Sequence, residues 1–277
     1  MPITEPTDPQ APQQGYYIYG ITDGAPVDLG PGVGPGAPVE LLVSGDLVAI
    51  TSPVPLNALT PEAARERQDD LAWLEAQVRA HQEVLARASR QATVVPLRFG
   101  TVFRDAAAAR AMMLEHAPRF REALARLAGR QEWGLKIGVD MARLAEAVAA
   151  TSPRIQELDA RRRGMRSGAA YMLARKRDQI LREEVERAIA TCAQHAHARL
   201  AAEAVAAVID GAALTGAASG AGPLFRCAYL VETTNLPIFL GILDNLAATY
   251  PAFAFTLSGP WPAYSFVNLS AEERTYA

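Results

Sequence analysis

The residues best suited to metal binding or nucleophilic chemistry are Cys192, His195 and His197, which lie in one short stretch. On a helix that turns about 100° per residue, Cys192 and His195 are neighbours, whereas His195 and His197 point about 200° apart. The three side chains therefore cannot close on one metal ion, and no second ligand pair has zinc-site spacing. A thiolate–imidazole pair of Cys192 and His195 would lie in mid-helix, without the turn and oxyanion donors that acyl transfer needs. We predict no catalytic residue, no metal and no cofactor.

Two further features have simpler structural interpretations. His81 falls on the apolar seam of a predicted helix, which is typical of a histidine satisfied within a core rather than of a general base. The loop GPGVGPG, Gly30 to Gly36, has no GK[ST] sequence, and its prolines remove N–H donors that would cradle phosphate. Neither feature is predicted to bind a ligand.

A basic stretch lies just past the middle of the chain. It comprises Arg161, Arg162, Arg163, Arg166, Arg175, Lys176 and Arg177. Acidic residues interleave with it or flank it at Glu157, Asp159, Asp178, Glu183, Glu184 and Glu186. This pattern favours a solvated, ion-paired helix face, and the alternative is a grip on nucleic acid with strongly salt-dependent affinity. The net charge of −3 and the pI of about 5.9 argue against nucleic acid as a partner.

Composition indicates a globular protein. The 277 residues are 50% hydrophobic and 21% charged, and their number favours two domains, each with its own core. No apolar run approaches the roughly 18 residues of a membrane helix, and residues 1–14 are expected to be a disordered Pro-rich leader without the features of a secretory signal. With two cysteines, a disulfide framework is not predicted. We therefore expect a cytoplasmic protein with no membrane partner.

The first domain, 15–130, is predicted to run β, β-hairpin, α, β, followed by two short helices at about 105–116 and 118–129. Its strands are YYIYGI, the hairpin VELLVSGDLVAITSPV and Thr93 to Phe103. Its helix begins at Thr60-Pro61-Glu62, with a capping hydroxyl, proline at the first helical position and a carboxylate in the first turn. The predicted apolar seam of that helix consists of Leu71, Leu74, Val78, His81 and Leu85.

The second domain, 131–277, is predicted as β, long α region, β, α, β. Its strands are EWGLKIGV, RCAYLVETT and FAFTLSGPWPAYSFV, and Met141 to about Ile209 reads as two long helices with a Ser152-Pro153 start and a break at Gly164 and Gly168. We expect these helices to form an antiparallel pair that joins the domains. The helix LPIFLGILDNLAATYP should bury Phe239, Ile242, Leu243 and Leu246. No internal repeat is evident beyond a similar make-up of the two halves.

The C-terminal stretch GPWPAYSFV places Trp261 between Pro260 and Pro262. Proline supplies no N–H and pushes the preceding residue towards extended backbone, so ladder pairing must pause there. Tyr264 and Phe266 then alternate as on a second strand segment. We predict a strand, a kink and a strand, with Trp261 packed at a corner that closes the sheet of the second domain.

Three strand segments, VVPLRFGTVF, EWGLKIGV and GPWPAYSFV, stand in an order that resembles the gas vesicle protein F/L family. The resemblance extends through YYIYGI, HQEVL, GAAYMLARK and AYLV and covers nearly the whole chain after the leader. The residues that carry its motifs are Pro96, Arg98, Phe99, Gly100, Trp133, Gly134, Lys136, Pro260, Trp261, Pro262, Tyr264 and Phe266. Arg98, a charge in an apolar strand, is expected to form a buried or edge ion pair, with a partner-facing role as the alternative.

The resemblance implies an α+β protein with a modified ferredoxin-like N-terminal domain and an α+β C-terminal domain with long helices. It also implies an accessory protein of gas vesicle assembly in the cytoplasm, a minor component, nucleator or chaperone. The implied partners are the major shell protein and other gas vesicle accessory proteins. The alternative is a ferredoxin-like small-molecule-binding protein or enzyme, which would need a pocket with convergent polar groups.

Overall fold

The computed structural model describes residues 14–34, 37–56, 71–163, 165, 167–210 and 225–267. The predicted leader up to residue 13, the helix start at Thr60 and Gly164 lie outside these ranges. The chain forms two compact units, one running to Gln131 and including the segment from Trp261 onwards, the other spanning Glu132–Pro260. The C-terminal segment thus groups with the first unit, whereas the sequence pattern predicts it in the second domain.

In its described residues, the first unit contains a five-stranded sheet and three α-helices. Its strands are β1 (Gln14–Thr22), β2 (Glu40–Ser44), β3 (Leu47–Pro55), β4 (Val94–Pro96) and β5 (Val102–Phe103), and its helices are α1 (Leu71–Ser89), α2 (Ala106–Glu115) and α3 (Ala117–Leu127). The strand order is β2-β3-β1-β4, with β5 also paired to β1, and every pair is antiparallel. This order is that of a ferredoxin-like sheet.

The Gly/Pro-rich loop between β1 and β2 replaces the first crossover helix of that topology. Its described residues form no helix, yet Leu29 and Val33 are buried in the core. The Val33 N–H donates to the Tyr19 hydroxyl at 2.7 Å, and the Arg87 guanidinium donates to the Leu29 carbonyl at 3.0 Å. The loop therefore covers the sheet with two apolar side chains and specific hydrogen bonds.

Helix α1 buries a different stripe from the predicted seam. His81 and Leu85 are buried as expected, but Leu71, Leu74 and Val78 are exposed. The buried face consists of Gln77, His81, Val84, Leu85 and Ala88. The buried face thus runs from Gln77 to Ala88, and Leu71, Leu74 and Val78 do not share it.

The second unit contains a four-stranded sheet and four helices in the described ranges. Its strands are β6 (Arg130–Val139), β7 (Ala206–Ile209), β8 (Phe225–Glu232) and β9 (Phe253–Trp261), and its helices are α4 (Met141–Thr151), α5 (Pro153–Arg162), α6 (Ser167–Ala201) and α7 (Leu236–Thr249). The predicted two-helix region is thus three helices followed by the unpredicted strand β7. Ser152 ends α4 and caps α5 by accepting the Ile155 N–H at 3.3 Å.

The strand order of the second sheet is β7-β8-β6-β9. Counted along the chain within each unit, both sheets have the order second, third, first, fourth, although the sequence shows no repeat. The core of this unit collects residues from β6, α6, β8 and α7, including Leu135, Cys192, Tyr229 and Phe239. The predicted face of α7 is confirmed, with Phe239 and Leu246 buried and Ile242 and Leu243 packed against the core.

Helices α5 and α6 pack together as a helical hairpin, and both helices belong to the second unit. Ile155 and Leu158 of α5 form an apolar cluster with Ile180 of α6. Arg177 donates from Nε to both carboxylate oxygens of Asp159, at 2.9 and 3.1 Å. Positions later in α5 contact positions earlier in α6, so the two helices of the hairpin are antiparallel.

The C-terminal stretch contains one strand rather than two. Strand β9 continues to Trp261, and the Gly259–Pro260 peptide is cis. Tyr264–Phe266 then form a short 3-10 turn, in which the Tyr264 N–H donates to the Pro262 carbonyl at 2.8 Å. The prediction of a second strand is wrong, because Tyr264–Phe266 form a turn and do not extend the strand pairing of β9.

Candidate functional site

The run PLRFG forms a bulge on the outer strand of the first sheet. Pro96 of β4 pairs with Gly20 of β1, and Val102 of β5 pairs with Tyr17 of β1. Between these two pairs, the outer strand has five residues, 97–101, and β1 has two, 18–19. The three extra residues are Arg98, Phe99 and Gly100, which we call the Arg98–Gly100 bulge. The predicted continuous strand from Thr93 to Phe103 is therefore interrupted.

Gly100 allows the bulge to close. Its φ of +87° lies in the left-handed region that side chains other than glycine rarely adopt. Its N–H donates to the Tyr17 hydroxyl at 3.2 Å, while the N–H and hydroxyl of Thr101 donate to the Arg98 carbonyl at 3.2 and 2.8 Å. The bulge is thus held by its own backbone and by a buried tyrosine.

A buried histidine connects this bulge to the C-terminal segment. His81 Nδ1 and the Tyr17 hydroxyl share a hydrogen bond of 2.7 Å, and His81 Nε2 and the Tyr264 hydroxyl share one of 2.6 Å. Phe99 packs edge-on against the His81 ring, with centroids 5.8 Å apart. We call Tyr17, His81, Tyr264 and the Gly100 N–H the His81 network. The network brings PLRFG and PAYSF together, because both segments contact the same histidine and its tyrosine partners.

The electrostatics of the His81 network keep it neutral. Burial lowers the pKa of His81 to about 4, and burial raises the pKa values of Tyr17 and Tyr264 well above their ordinary value. Both imidazole nitrogens are occupied by tyrosine hydroxyls. The prediction that His81 is a satisfied core histidine is confirmed.

This neutral histidine should make stability pH-dependent. The pKa of His81 is about 4 in the folded chain and 6.5 ordinarily, so the unfolded chain binds more protons between these values. Its stabilisation is complete above about pH 6.5 and is lost as the pH falls towards 4, a change of up to about 3 kcal/mol. Urea unfolding at several pH values should show this loss in the wild type and a correspondingly smaller loss in His81→Phe. Equal pH dependence in both proteins would contradict the assignment.

The other side chains of the bulge face solvent. Arg98 is exposed, and the ion pair predicted for it is wrong, because no carboxylate of the described chain lies within salt-bridge distance of its guanidinium. Phe99 is also exposed on one side while its ring contacts His81 and Tyr17 on the other. Pro96 is buried in an outer strand, where its missing N–H costs no ladder hydrogen bond. The turn of the strand away from β1 is what places Arg98 in water.

The second unit holds the motif residues Trp133, Gly134 and Lys136 on β6. The Trp133 ring lies against Gly259, and its Nε1 is buried without a hydrogen-bond partner among the described residues. Ser258 donates to the Gly134 carbonyl at 3.2 Å, and Lys136 is exposed. These contacts join β6 to β9 and do not converge on a pocket with Lys136.

Trp261 does not cap a core, contrary to the prediction from the sequence. Its side chain is 50% exposed, while the neighbouring Pro262 and Phe266 are buried. Pro260 is exposed as well. The inward-facing aromatic residues of this segment are Tyr264, through its hydrogen bond to His81, and Phe266.

The histidines of α6 bind different tyrosines. His195 Nδ1 lies 2.8 Å from the Tyr250 hydroxyl, and His197 Nδ1 lies 3.0 Å from the Tyr229 hydroxyl. The predicted divergence of the two rings is therefore confirmed. Cys227 comes within 3.8 Å of His197, a contact that only the pairing of β8 with the helix reveals.

The two thiols are those of buried apolar residues. Burial raises the pKa of Cys192 to about 12 and also raises the pKa of Cys227. Both cysteines are free and buried. Within the described ranges, no group of three or more His, Cys, Asp or Glu side chains could hold a metal ion.

An apolar sheet edge is exposed in the second unit. Strand β7 ends the strand order, and no strand of the described chain pairs with its outer side. Val208 and Ile209 are 44% and 42% exposed, and Val205 just before the strand is also exposed. This edge is not predicted from the sequence, because Val205 to Ile209 follow a long helical pattern without a break signal.

The motif residues of the two α+β units make largely structural contacts, and the apolar edge strand β7 is exposed in the described chain. This combination is typical of a protein that works through its surfaces. Residues 15–268 match the model of the family "Gas vesicle synthesis protein GvpL/GvpF". The chain belongs to this family and so has a role in gas vesicle assembly, as the sequence motifs predict. The family is not known as one of enzymes.

Named relatives include both types of the family. The chain is 34% identical to gas vesicle protein L of Streptomyces sp. (strain CB03234) over 93% of its length and 94% of that protein. It is 30% identical to gas vesicle protein F of the same strain, over 91% of its length and 99% of that protein.

Solved structures have the same fold. The crystal structure of GvpF from Anabaena sp. PCC7120 has a TM-score of 0.67 and 17% identity, covering 93% of this chain and 98% of that one. GvpF from Microcystis aeruginosa has a TM-score of 0.63 and 19% identity, covering 92% and 99%. The predicted α+β class is confirmed. Of the helices described, none is both long enough and apolar enough to span a membrane.

Proposed function

We propose that this protein binds the major shell protein of the gas vesicle before assembly and keeps it from aggregating. A shell protein that faces gas on one side exposes apolar surface until it is assembled, and unpaired β edges of such a protein would associate. A partner can cover an edge by adding a strand of its own. In this proposal the protein is a cytoplasmic accessory factor, either a chaperone or a minor component that nucleates the shell.

The observation that carries the proposal is the apolar edge strand β7. Natural edge strands are usually protected by charges, prolines or bulges, because a bare apolar edge pairs with other chains. The outer strand of the first sheet has such protection, since Pro96 and the Arg98–Gly100 bulge interrupt it. Strand β7 instead presents Val208 and Ile209 to solvent. It is therefore suited to main-chain pairing with a strand of the shell protein.

Strand β2 is a matched edge in the first unit. It also ends its sheet, and Val43 on it is exposed. The Val43 carbonyl, however, accepts a hydrogen bond of 3.2 Å from the Arg110 guanidinium. An incoming strand would have to displace Arg110, so β2 is the natural control for β7.

The test compares Val208→Lys with Val43→Lys. An edge lysine would have to be desolvated on strand pairing, so we expect Val208→Lys to weaken binding of the shell protein by about tenfold or more. Val43→Lys should bind as the wild type does. Binding is measured with purified proteins, and light scattering of the shell protein is followed in parallel at equimolar ratio.

Each outcome has a defined meaning. If the wild type leaves shell-protein aggregation unchanged, the chaperone role is wrong. If it suppresses aggregation but Val208→Lys does so equally well, the β7 surface is wrong. Thermal unfolding of both variants provides the folding control, because both side chains are exposed.

A further inference from the structure

The tip of the α5–α6 hairpin is strongly basic, in contrast to the rest of the chain. Between Asp159 and Asp178 the sequence has no acidic residue and carries all seven cations of the basic stretch. The whole chain nevertheless has a net charge of −3. Positive charge is thus concentrated in this segment, while the chain as a whole is negative. An ion-paired helix face does not explain this excess of positive charge at the tip.

Only some of these cations have carboxylate partners. Arg161 pairs with Glu157 at 2.5 Å, and Arg177 pairs with Asp159 at 2.9 Å. Four more cations at this end have no ion pair within the described chain and are exposed. They are Arg162, Arg163, Arg175 and Lys176. The antiparallel Asp159–Arg177 contact places the end of α5 beside the start of α6, so all four lie at one end of the hairpin.

Apolar side chains are exposed at the same end. Residues 168–174 of α6, GAAYMLA, contain no charge, and Tyr171 and Met172 are 60% and 68% exposed. The Asp159–Arg177 contact aligns Arg162 with about position 174, so the first two turns of α6 extend beyond α5. Leu173 in these turns packs against the apolar cluster of Ile155, Leu158 and Ile180, whereas Tyr171 and Met172 stay exposed.

We propose that this tip is a docking site for an acidic amphipathic helix of another protein in gas vesicle assembly. Apolar side chains of the partner pack on Tyr171 and Met172, and its carboxylates pair with Arg175, Lys176 and the arginines at the end of α5. Tyrosine, methionine and arginine are enriched in protein interfaces, and flexible methionine adapts to varied partners. Nucleic acid is less well matched, because exposed apolar side chains occupy the centre of the patch and the whole chain is negative.

This inference goes beyond the proposed function, since the tip and β7 are separate surfaces with different chemistry. Strand β7 offers apolar main-chain pairing, which high salt does not weaken, whereas the tip combines apolar contact with ion pairs that salt screens. A partner bound at the tip must therefore carry negative charge, which pairing with strand β7 does not require.

The experiment uses the full chain and defined probes. The first probe is a synthetic amphipathic helix with a leucine face and a glutamate face, and the second has lysine in place of glutamate. A short DNA duplex and vesicles of phosphatidylcholine with phosphatidylserine are measured alongside them. We expect the glutamate peptide to bind, with affinity that falls as salt rises, and the lysine peptide not to bind.

Variants assign the binding to the tip. Two double variants, Arg175→Glu/Lys176→Glu and Tyr171→Ser/Met172→Ser, should each weaken binding of the glutamate peptide by about tenfold or more. Charge reversal elsewhere in the same unit, Arg143→Glu/Lys136→Glu, and the β7 variant Val208→Lys should leave this binding unchanged.

Several results would overturn the proposal. In the first, the glutamate peptide fails to bind the wild type, and in the second it binds the tip variants as tightly as the wild type. In the third, DNA or vesicles bind at the tip in place of the peptide. Because Val208→Lys is measured in the same series, failure of the tip is distinguished from failure of the shell-protein contact. All changed side chains are exposed, so unchanged thermal unfolding verifies the fold.

Discussion

Replacement of His81 by alanine is expected to lower the free energy of unfolding by about 3–5 kcal/mol. The imidazole is fully buried, so its removal leaves a cavity in the first unit. It also takes a hydrogen-bond partner from the hydroxyls of both Tyr17 and Tyr264. Since Tyr264 is part of the C-terminal segment, amide exchange in that segment should rise with the loss of stability. Urea unfolding followed by circular dichroism measures the effect.

Two variants separate the causes of that loss. Tyr264→Phe removes one hydroxyl and leaves His81 Nε2 without this partner, which should cost about 1–2 kcal/mol. Glu83→Ala, on the same helix, changes an exposed side chain and should stay within about 0.5 kcal/mol of the wild type. If His81→Ala were as mild as Glu83→Ala, the His81 network would not hold the first unit together.

Gly259→Ala is expected to destabilise the second unit by about 2–4 kcal/mol. Gly259 has φ of +138°, a backbone conformation that alanine rarely adopts. An added Cβ would lie 2.9 Å from the Glu132 carbonyl oxygen and 3.1 Å from the Trp133 ring. The carbonyl belongs to the backbone of β6 and cannot move aside alone, so the β6–β9 contact must open. Thermal unfolding measures the change.

Gly138→Ala is the matched control for this prediction. Gly138 lies on the same strand as Trp133, has no positive φ, and a Cβ there would meet Ala254 at an ordinary 3.9 Å. Its replacement should change stability by no more than about 1 kcal/mol in either direction. Similar melting of the two variants would show that the close approach at Gly259 carries no strain.

Much of the fold was predictable because its signals are local. Alternation of apolar residues marks β1, the β2–β3 hairpin and β6, and the stripe of Phe239 and Leu246 marks α7. The Ser152-Pro153 pair marks the start of α5 by a capping bond that spans three residues. The family motifs are also local, and their residue types and order indicate gas vesicle assembly without knowledge of any tertiary contact.

The candidate sites were less predictable because they depend on pairing between distant segments. The Arg98–Gly100 bulge exists because β4 and β5 both align to β1 with different registers, which residues 93–103 alone do not encode visibly. Arg98 was consequently expected in an ion pair, and it lies in solvent. Trp261 was expected in a core for its size, yet the adjacent Tyr264 makes the inward contact.

Residue type and spacing, by themselves, determined the α+β class, most helix and strand positions and the absence of a recognisable ligand-binding motif. Tertiary structure decided which segments meet: His81 with Tyr17 and Tyr264, β7 at an open edge, and the basic residues with Tyr171 at one hairpin tip. It also decided the common strand order of the two sheets. The physical reason is that hydrophobic period and capping act over a few residues, whereas register, edges and buried hydrogen bonds arise when remote segments compete for one core.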